Sequence, residues 1–582
     1  MVSVLDHLPL ILVALPLIGA VLTGVFAHFG SAPIARQLAR SNAILTLALA
    51  LLMAARFDDR LSEDGRAASP QMRTTVLWLA DAPIDAPGGI TGLDIRFSLG
   101  VDGLSLWPLV TTALIVCAVL SSRRPAAMEE STAFEVLVLC LSSGAMLLFA
   151  AQDVVPFAIG LQCVAGVFFL LIGWWGGADR RAVAMKFATY YAAGGTLILL
   201  GLAGLVISVT WIRGELDPRR TALLFDLPTL IADGQRLSTW SETTAIHWFA
   251  VAPYLFLALL AGFAILTPAF PLHPWWTSLV AEAAAPVAAL AAGILLKVGL
   301  YGWLRFVAPL FPAECVAWAP WLSGLAVLGF LQLGLVALAQ NDLRRFVGCA
   351  AAALVQLEVA GFWTLSSSGF AGGALLNLAL GCSPAAAFLL IGALEDRYRT
   401  RDIDAFGGMA AHYPRLGLCL GAALLSLSGL PWLGGWAAFL LIVTAVASSG
   451  GPLTVLLPAM ISLSWGAIWI LQRTLFGRFR EPLQGFQFSA SWMSIAPDGR
   501  QAAWSTSETD SPSDAQVVGR LPDLGFREIA PAIMLLAVSL GLSLAPQVFV
   551  KTLKSGLTLS VSPYEVPPPR VVAPGQAGGE EE

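Results

Sequence analysis

The sequence predicts an all-α polytopic membrane protein. About fourteen transmembrane helices are expected, arranged as two inverted five-helix repeats with broken seventh and twelfth helices. Three observations carry this. The chain is 57% hydrophobic and only 12% charged, whereas soluble domains carry about 25% charged residues. Its apolar runs recur at the length a bilayer demands, about 20 residues each. Two of them are interrupted at matching places, one by Pro268 and Pro271, the other by Pro431 and Gly434-Gly435. Interrupted segments in corresponding positions of two halves point to inverted repeats with a path near the midplane.

In chain order the segments fall at 8–28, 41–57, 102–121, 132–151, 154–175, 184–212, 248–270, 283–307, 316–339, 346–365, 370–394, 413–449, 453–475 and 528–549. The tract 413–449 is read as one broken span, with two shorter spans as the alternative. Arginines follow the odd-numbered segments: Arg36 and Arg40, Arg123 and Arg124, Arg180 and Arg181, Arg344 and Arg345, Arg397, Arg399 and Arg401, then Arg473, Arg478 and Arg480. By the positive-inside rule these ends are cytoplasmic, so both termini lie outside. The loop 58–95 also carries arginines, but it is long and mixed in sign, where the rule weakens. The start of the chain lacks a basic stretch and a clear small-residue cleavage site, so no cleavable signal peptide is expected.

The chain divides into membrane helices over 1–477, a polar cytoplasmic insertion at 478–526, a last helix at 527–551 and a disordered tail at 552–582. The insertion is rich in Ser, Asp, Gly and Gln, and the Pro-rich tail reads as extended. The seven cysteines, at 117, 140, 163, 315, 349, 382 and 419, are scattered without C-x-x-C spacing. That pattern fits small buried side chains and suggests no metal, cluster or haem ligation in this chain. No Walker loop, dinucleotide fingerprint or H-E-x-x-H motif is present. The bilayer is the expected partner, and nothing calls for nucleic acid.

One stretch organises the rest. Residues 263–306 hold the interrupted seventh segment and an eighth with Lys297 near its middle. Lysine occurs only at 186, 297, 551 and 554. An ammonium at bilayer depth costs roughly 2.5–3.5 kcal/mol on insertion scales, so it is a functional-site hypothesis by default. Glu358, in the middle of the tenth segment with Gln356 close by, is a second buried ionisable candidate. Lys186 at the start of the sixth and Glu135 early in the fourth lie near enough to an interface to snorkel. Arg305 reads as an interface anchor, and Glu282 suits the N-terminus of the eighth helix.

The motif FPLHPWW…AEA…LAAGILLKVGLYGWLRF resembles the antiporter-like subunits of respiratory complex I, most closely the M-type (subunit 4) member. Further matches come in order: GVDGLSL from Gly100, AMKFATYYAAGG from Ala184, FDLPTL from Phe225, ALAQNDLRRF from Ala337, RTRDIDAFGG from Arg399, QRTLFG from Gln472 and FRE from Phe526. The resemblance implies a fourteen-helix proton-translocating module in the membrane arm of an NADH-quinone oxidoreductase. It would be a non-catalytic subunit of that oxidoreductase complex in the bacterial inner membrane. L- and N-type antiporter-like subunits would flank it, and NADH, flavin, iron–sulfur clusters and quinone would sit on partner subunits.

The family's buried relay carries over only in part. Its eighth-segment lysine is Lys297. Its fifth-segment glutamate, counted from Asp153, is Gln162. The lysine before the break in the seventh is Leu266, the tenth-segment histidine Leu354, the eleventh-segment histidine Leu380, and the charged residue after the break in the twelfth Ala438. Of the loop motif after the seventh, His273, Trp275 and Glu282 remain, while Thr277, Ser278 and Val280 replace its Pro, Asp and His. Proton transfer needs groups that gain and lose a proton, and Leu and Ala do not. The path is therefore read as degenerate, with Lys297, Glu358, Lys186 and Gln162 as its candidate members. The alternative is an antiporter-like scaffold of another membrane assembly: a hydrogenase, a cation/proton antiporter or an inorganic-carbon uptake complex. An independent secondary transporter is disfavoured, because the family works in hetero-oligomers.

Overall fold

The structure is a computed structural model, and it describes residues 7–58, 70–86, 90–123, 128, 131–216, 222–237, 242–480, 482 and 522–565. Among them, thirteen helices are long and apolar enough to cross a membrane, and the half-length pair Pro414–Ser426 and Trp436–Ser448 supplies the expected fourteenth span. The chain is an integral membrane protein.

Helix ends are set by local chemistry. Asp102 caps the third helix (Gly103–Ser121), its carboxylate accepting from the Leu104 and Ser105 amides in a capping box. Asp153, Asp342 and Ser366 cap the fifth (Val154–Trp174), tenth (Leu343–Phe362) and eleventh (Ser367–Tyr398) in the same way. Each cap satisfies amide donors that have no partner within the helix. Prolines open the eighth (Ala285–Gly302) and ninth (Pro312–Leu338), where no amide is needed.

The third, eighth, tenth and eleventh helices are buried along nearly their whole lengths and form the centre of the bundle. The eighth and eleventh pack against each other, and the tenth packs on the eleventh. The first (Leu8–His28), second (Ala32–Arg56), ninth and thirteenth (Leu453–Thr474) leave most of their surface open. They form two separate pairs, the first with the second and the ninth with the thirteenth, whose open faces are available to lipid or neighbouring chains.

Both breaks occur where the interrupting residues stand. The seventh helix runs over Glu242–Leu266, loses its helical path across 267–273, and resumes as Pro274–Glu282. The twelfth breaks between its two halves, where Gly429, Gly434 and Gly435 all take positive φ. Only glycine adopts that region without steric cost. Each break is closed by a side chain from a neighbour. Gln356 of the tenth helix accepts from the Phe270 amide (2.9 Å) and donates to the Pro268 carbonyl (3.0 Å). The Gly435 amide donates to Ser543 Oγ of the fourteenth (Phe526–Leu544) at 3.0 Å. Irregular backbone at membrane depth is tolerated only when its polar groups are satisfied in this way.

Two elements were not foreseen. The loop 58–95 contributes to a hairpin of β1 (Gln71–Ala86) and β2 (Ile90–Val101), antiparallel with Val76 opposite Phe97. A short β3 (Ala222–Leu224) adds in parallel to β2. The tail expected to be disordered from 552 is instead helical through Pro546–Glu565, and the last spanning helix ends earlier, at Leu544. The Pro-rich composition of the tail suggested extended chain. Tertiary anchors decide otherwise: Trp107 Nε1 donates to Thr552 Oγ1 (2.6 Å) and Tyr564 to the Ala308 carbonyl (2.9 Å). The tail from 566, and all of the 478–526 insertion except 478–480, 482 and 522–526, lie outside the described residues.

Candidate functional site

Lys297 sits in the middle of the eighth helix with no exposed surface. Its ammonium donates to the Gly293 carbonyl one turn back, at 2.6 Å. Space for it is made by Gly381 on the eleventh helix, where an added Cβ would fall onto Nζ. Glu358 on the tenth helix is equally buried. Its Oε1 accepts from Asn377 Nδ2 of the eleventh at 2.8 Å, while Oε2 has no hydrogen-bond partner among the described residues. The same amide nitrogen reaches the Leu296 carbonyl at 3.4 Å, next to Lys297. Glu358 and Cys382 are the titratable groups that act on the lysine electrostatically.

The eleventh helix is built for this knot. Gly373, Asn377 and Gly381 recur every fourth residue and so share one face. A Cβ at Gly373 would touch the Glu358 backbone and side chain, and one at Gly381 would meet the lysine amine. Gly381 is a notch for the ammonium, Gly373 lies at ordinary contact distance from Glu358, and Asn377 sits between them. A buried carboxylate or ammonium left without partners is expensive. Here Asn377 of the eleventh helix bridges Glu358 of the tenth and the Leu296 carbonyl of the eighth, while Lys297 bonds to the Gly293 carbonyl within its own helix.

The other expected members are placed elsewhere. Gln162 lies on the exposed face of the fifth helix. Lys186, half-buried on the sixth (Arg180–Leu216), donates to Ser278 Oγ in the second half of the seventh at 2.8 Å. It pins two helices together and does not enter the Lys297 knot. Glu135 is buried in the fourth helix (Ala133–Ala150) and was not expected to be. Leu266, Leu354, Leu380 and Ala438 are all buried, so the positions flanking the knot are apolar.

Two side-chain assignments need correction. Arg305 is not an interface anchor. It is buried in a π-helical turn at Trp303–Val307, ion-paired with Asp102, and its second nitrogen donates to Gln152 Oε1 at 2.8 Å. The position near the end of an apolar run suggested an interface, but the third-helix cap draws the guanidinium inward. Glu282 does not serve the eighth helix. Its carboxylate accepts from the Asp179 amide (3.3 Å) and its carbonyl from Gly177 (2.8 Å), which fastens the turn between the fifth and sixth helices.

Asn377 was missed. It sits three residues before Leu380, and Glu358 sits four after Leu354. Because the helices are antiparallel neighbours, both displacements run towards the turn at 363–366. The polar pair has moved together by about one helical turn, roughly 5 Å, from the positions that the family resemblance singles out. The Gly-x₃-Asn-x₃-Gly stripe was the available signal.

A family model described as NADH:quinone oxidoreductase/Mrp antiporter, TM, matches residues 151–464, more than half of the chain. The chain belongs to this family. NADH-quinone oxidoreductase subunit M of Rhodobacter capsulatus is 28% identical over 481 residues, covering 81% of this chain and 87% of that protein. This bears out the M-type resemblance. In fold, the antiporter-family chain matches one in respiratory complex I from Thermus thermophilus with bound NADH. The TM-score is 0.70 at 22% identity, with 95% and 98% of the two chains covered. It also matches a chain of the Mrp complex from a Dietzia species, with TM-score 0.71 at 18% identity and coverage of 97% and 98%.

Proposed function

We propose that this chain is the M-type subunit in the membrane arm of an NADH:quinone oxidoreductase-like assembly. It holds a proton at its midplane without passing it along the family's lateral relay. One observation carries the reading: among the described residues, the buried lysine and carboxylate at the centre are Lys297 and Glu358, with Asn377 between them and Cys382 beside the lysine, while Leu266, Leu354, Leu380 and Ala438 are buried and apolar. A relay needs titratable groups or water within hydrogen-bond reach at every step. Buried leucine and alanine supply neither. The subunit is itself non-catalytic. L- and N-type subunits flank it in a bacterial cytoplasmic membrane, both termini face outwards, and NADH, flavin, iron–sulfur clusters and quinone reside on partner subunits. Similarity to subunit M supports this assignment.

A second reading has one specific support, the equally good fold match to an Mrp complex chain. In it the chain is a scaffold of a different antiporter-like assembly. Purifying the tagged chain from native membranes and identifying the co-purifying subunits by mass spectrometry separates the two. Companion L-type, N-type and quinone-site subunits are expected. Recovery with cation-antiporter or hydrogenase subunits and no quinone-site partner would establish the second reading.

A further inference from the structure

A small cleft of about 20 Å³, room for about one water, lies at the end of the bundle that carries the C-terminal helix. It is lined by Leu104 and Pro108 of the third helix, Leu300 and Tyr301 of the eighth, Ala374 and Asn377 of the eleventh, and Leu553 of the C-terminal helix. Asn377 therefore has two faces: its amide nitrogen holds Glu358, and it also borders this cleft. Glu358 brings a buried carboxylate oxygen with no hydrogen-bond partner among the described residues. A buried polar oxygen of this kind is ordinarily satisfied by water. The cleft is apolar along most of its lining and ends at Asn377, which among the described residues is the side chain that donates to the carboxylate.

The cover is held by specific contacts. Gly556 lies directly on the backbone of Gly103 and Leu104, where any Cβ would collide. Trp107 donates to Thr552 Oγ1 at 2.6 Å and packs on Phe549, with ring centroids 4.4 Å apart. The one-turn displacement of Glu358 and Asn377 is towards this same end. Towards the breaks of the seventh and twelfth helices, the buried side chains at 266, 354, 380 and 438 are apolar, and the buried polar Gln356 is engaged by the Phe270 amide and the Pro268 carbonyl.

We propose that Glu358 and Asn377 form a proton-holding site that exchanges with water from one side only, through the cleft, with the helix Pro546–Glu565 as its cover. The charged or titratable neighbours are Lys297 on the eighth helix, Cys382 on the eleventh beside that lysine, and Tyr301 of the eighth, which lines the cleft and whose hydroxyl donates to the Phe149 carbonyl. The ligand is a proton carried by water. The inference rests on Glu358 being the retained proton group. A proton-stoichiometry measurement tests the proposed function; the access route is read separately from exchange kinetics, so either can fail alone.

The test is deuterium exchange of the purified complex followed by infrared spectroscopy, with the Glu358 carboxyl band assigned by its loss in Glu358→Gln. Thr552→Val removes the Trp107 acceptor and loosens the cover. Exchange is expected to quicken by about fivefold, the equivalent of about 1 kcal/mol for one hydrogen bond. Ala374→Leu fills the cleft from the eleventh helix and is expected to slow exchange by a similar factor or more. Equal exchange rates in Thr552→Val and the parent would overturn the route. So would an Ala374→Leu protein that assembles and exchanges at the parental rate. If Ala374→Leu does not assemble, Thr552→Val alone decides.

Discussion

Gly381→Ala is the sharpest probe of how the buried amine is seated. A methyl at 381 falls onto Lys297 Nζ. The amine is the mobile end of its side chain, so the backbone need not move. What is lost is the ammonium's 2.6 Å bond to the Gly293 carbonyl. A hydrogen bond to a charged group contributes about 1.5–3 kcal/mol. Against this, replacing Gly by Ala inside a helix stabilises by about 0.5–1 kcal/mol. The net expectation is a loss of about 1–2 kcal/mol in the parent. In a Lys297→Ala background there is no amine to displace, and only the helix-propensity gain remains. Gly381→Ala should then stabilise. The effect reverses sign, and a double-mutant cycle on the thermal denaturation midpoint of the purified complex reads it directly. Additive effects with the same sign in both backgrounds would refute the seating of Lys297 in the Gly381 notch.

Two other substitutions test the framework around the site. Gln356→Leu leaves the Phe270 amide and Pro268 carbonyl in the seventh-helix break without their partner. At about 1–3 kcal/mol per buried unsatisfied group, it should cost about 2–6 kcal/mol, seen as a lower denaturation midpoint and greater protease sensitivity at the break. Arg305→Leu strands the buried Asp102 carboxylate and Gln152. Breaking one side of a buried ion pair costs about 3–5 kcal/mol, so the variant should assemble poorly, and Asp102→Asn in the same chain should recover part of the yield.

The spanning helices were legible because twenty-residue apolar runs have one outcome in a bilayer. The two breaks were legible because Pro271, Pro431 and the Gly434-Gly435 pair cannot continue a helix. Lys297 and Glu358 stood out as charges among apolar neighbours. What joins them did not. Asn377 is an uncharged residue in a long apolar helix, and its meaning depends on a register between the tenth and eleventh helices that no single segment encodes. Gln356 looked like an accessory of Glu358, yet it faces the opposite way and closes the seventh-helix break. Arg305 was misplaced because its partner Asp102 lies 203 residues away in the chain. The helix at Pro546–Glu565 is held by contacts to Trp107 and Ala308, so local composition alone pointed to disorder.

The most direct test of a closed lateral relay is the number of protons translocated per electron pair by the complex in sealed proteoliposomes, compared between the parent and Lys297→Ala at equal assembly. An unchanged ratio is expected, because the knot holds a proton but has no titratable neighbour at 266, 354, 380 or 438 to pass it to. A ratio that falls in Lys297→Ala, with the complex intact and electron transfer still running, would show that protons do cross this subunit through Lys297 and would contradict the proposal.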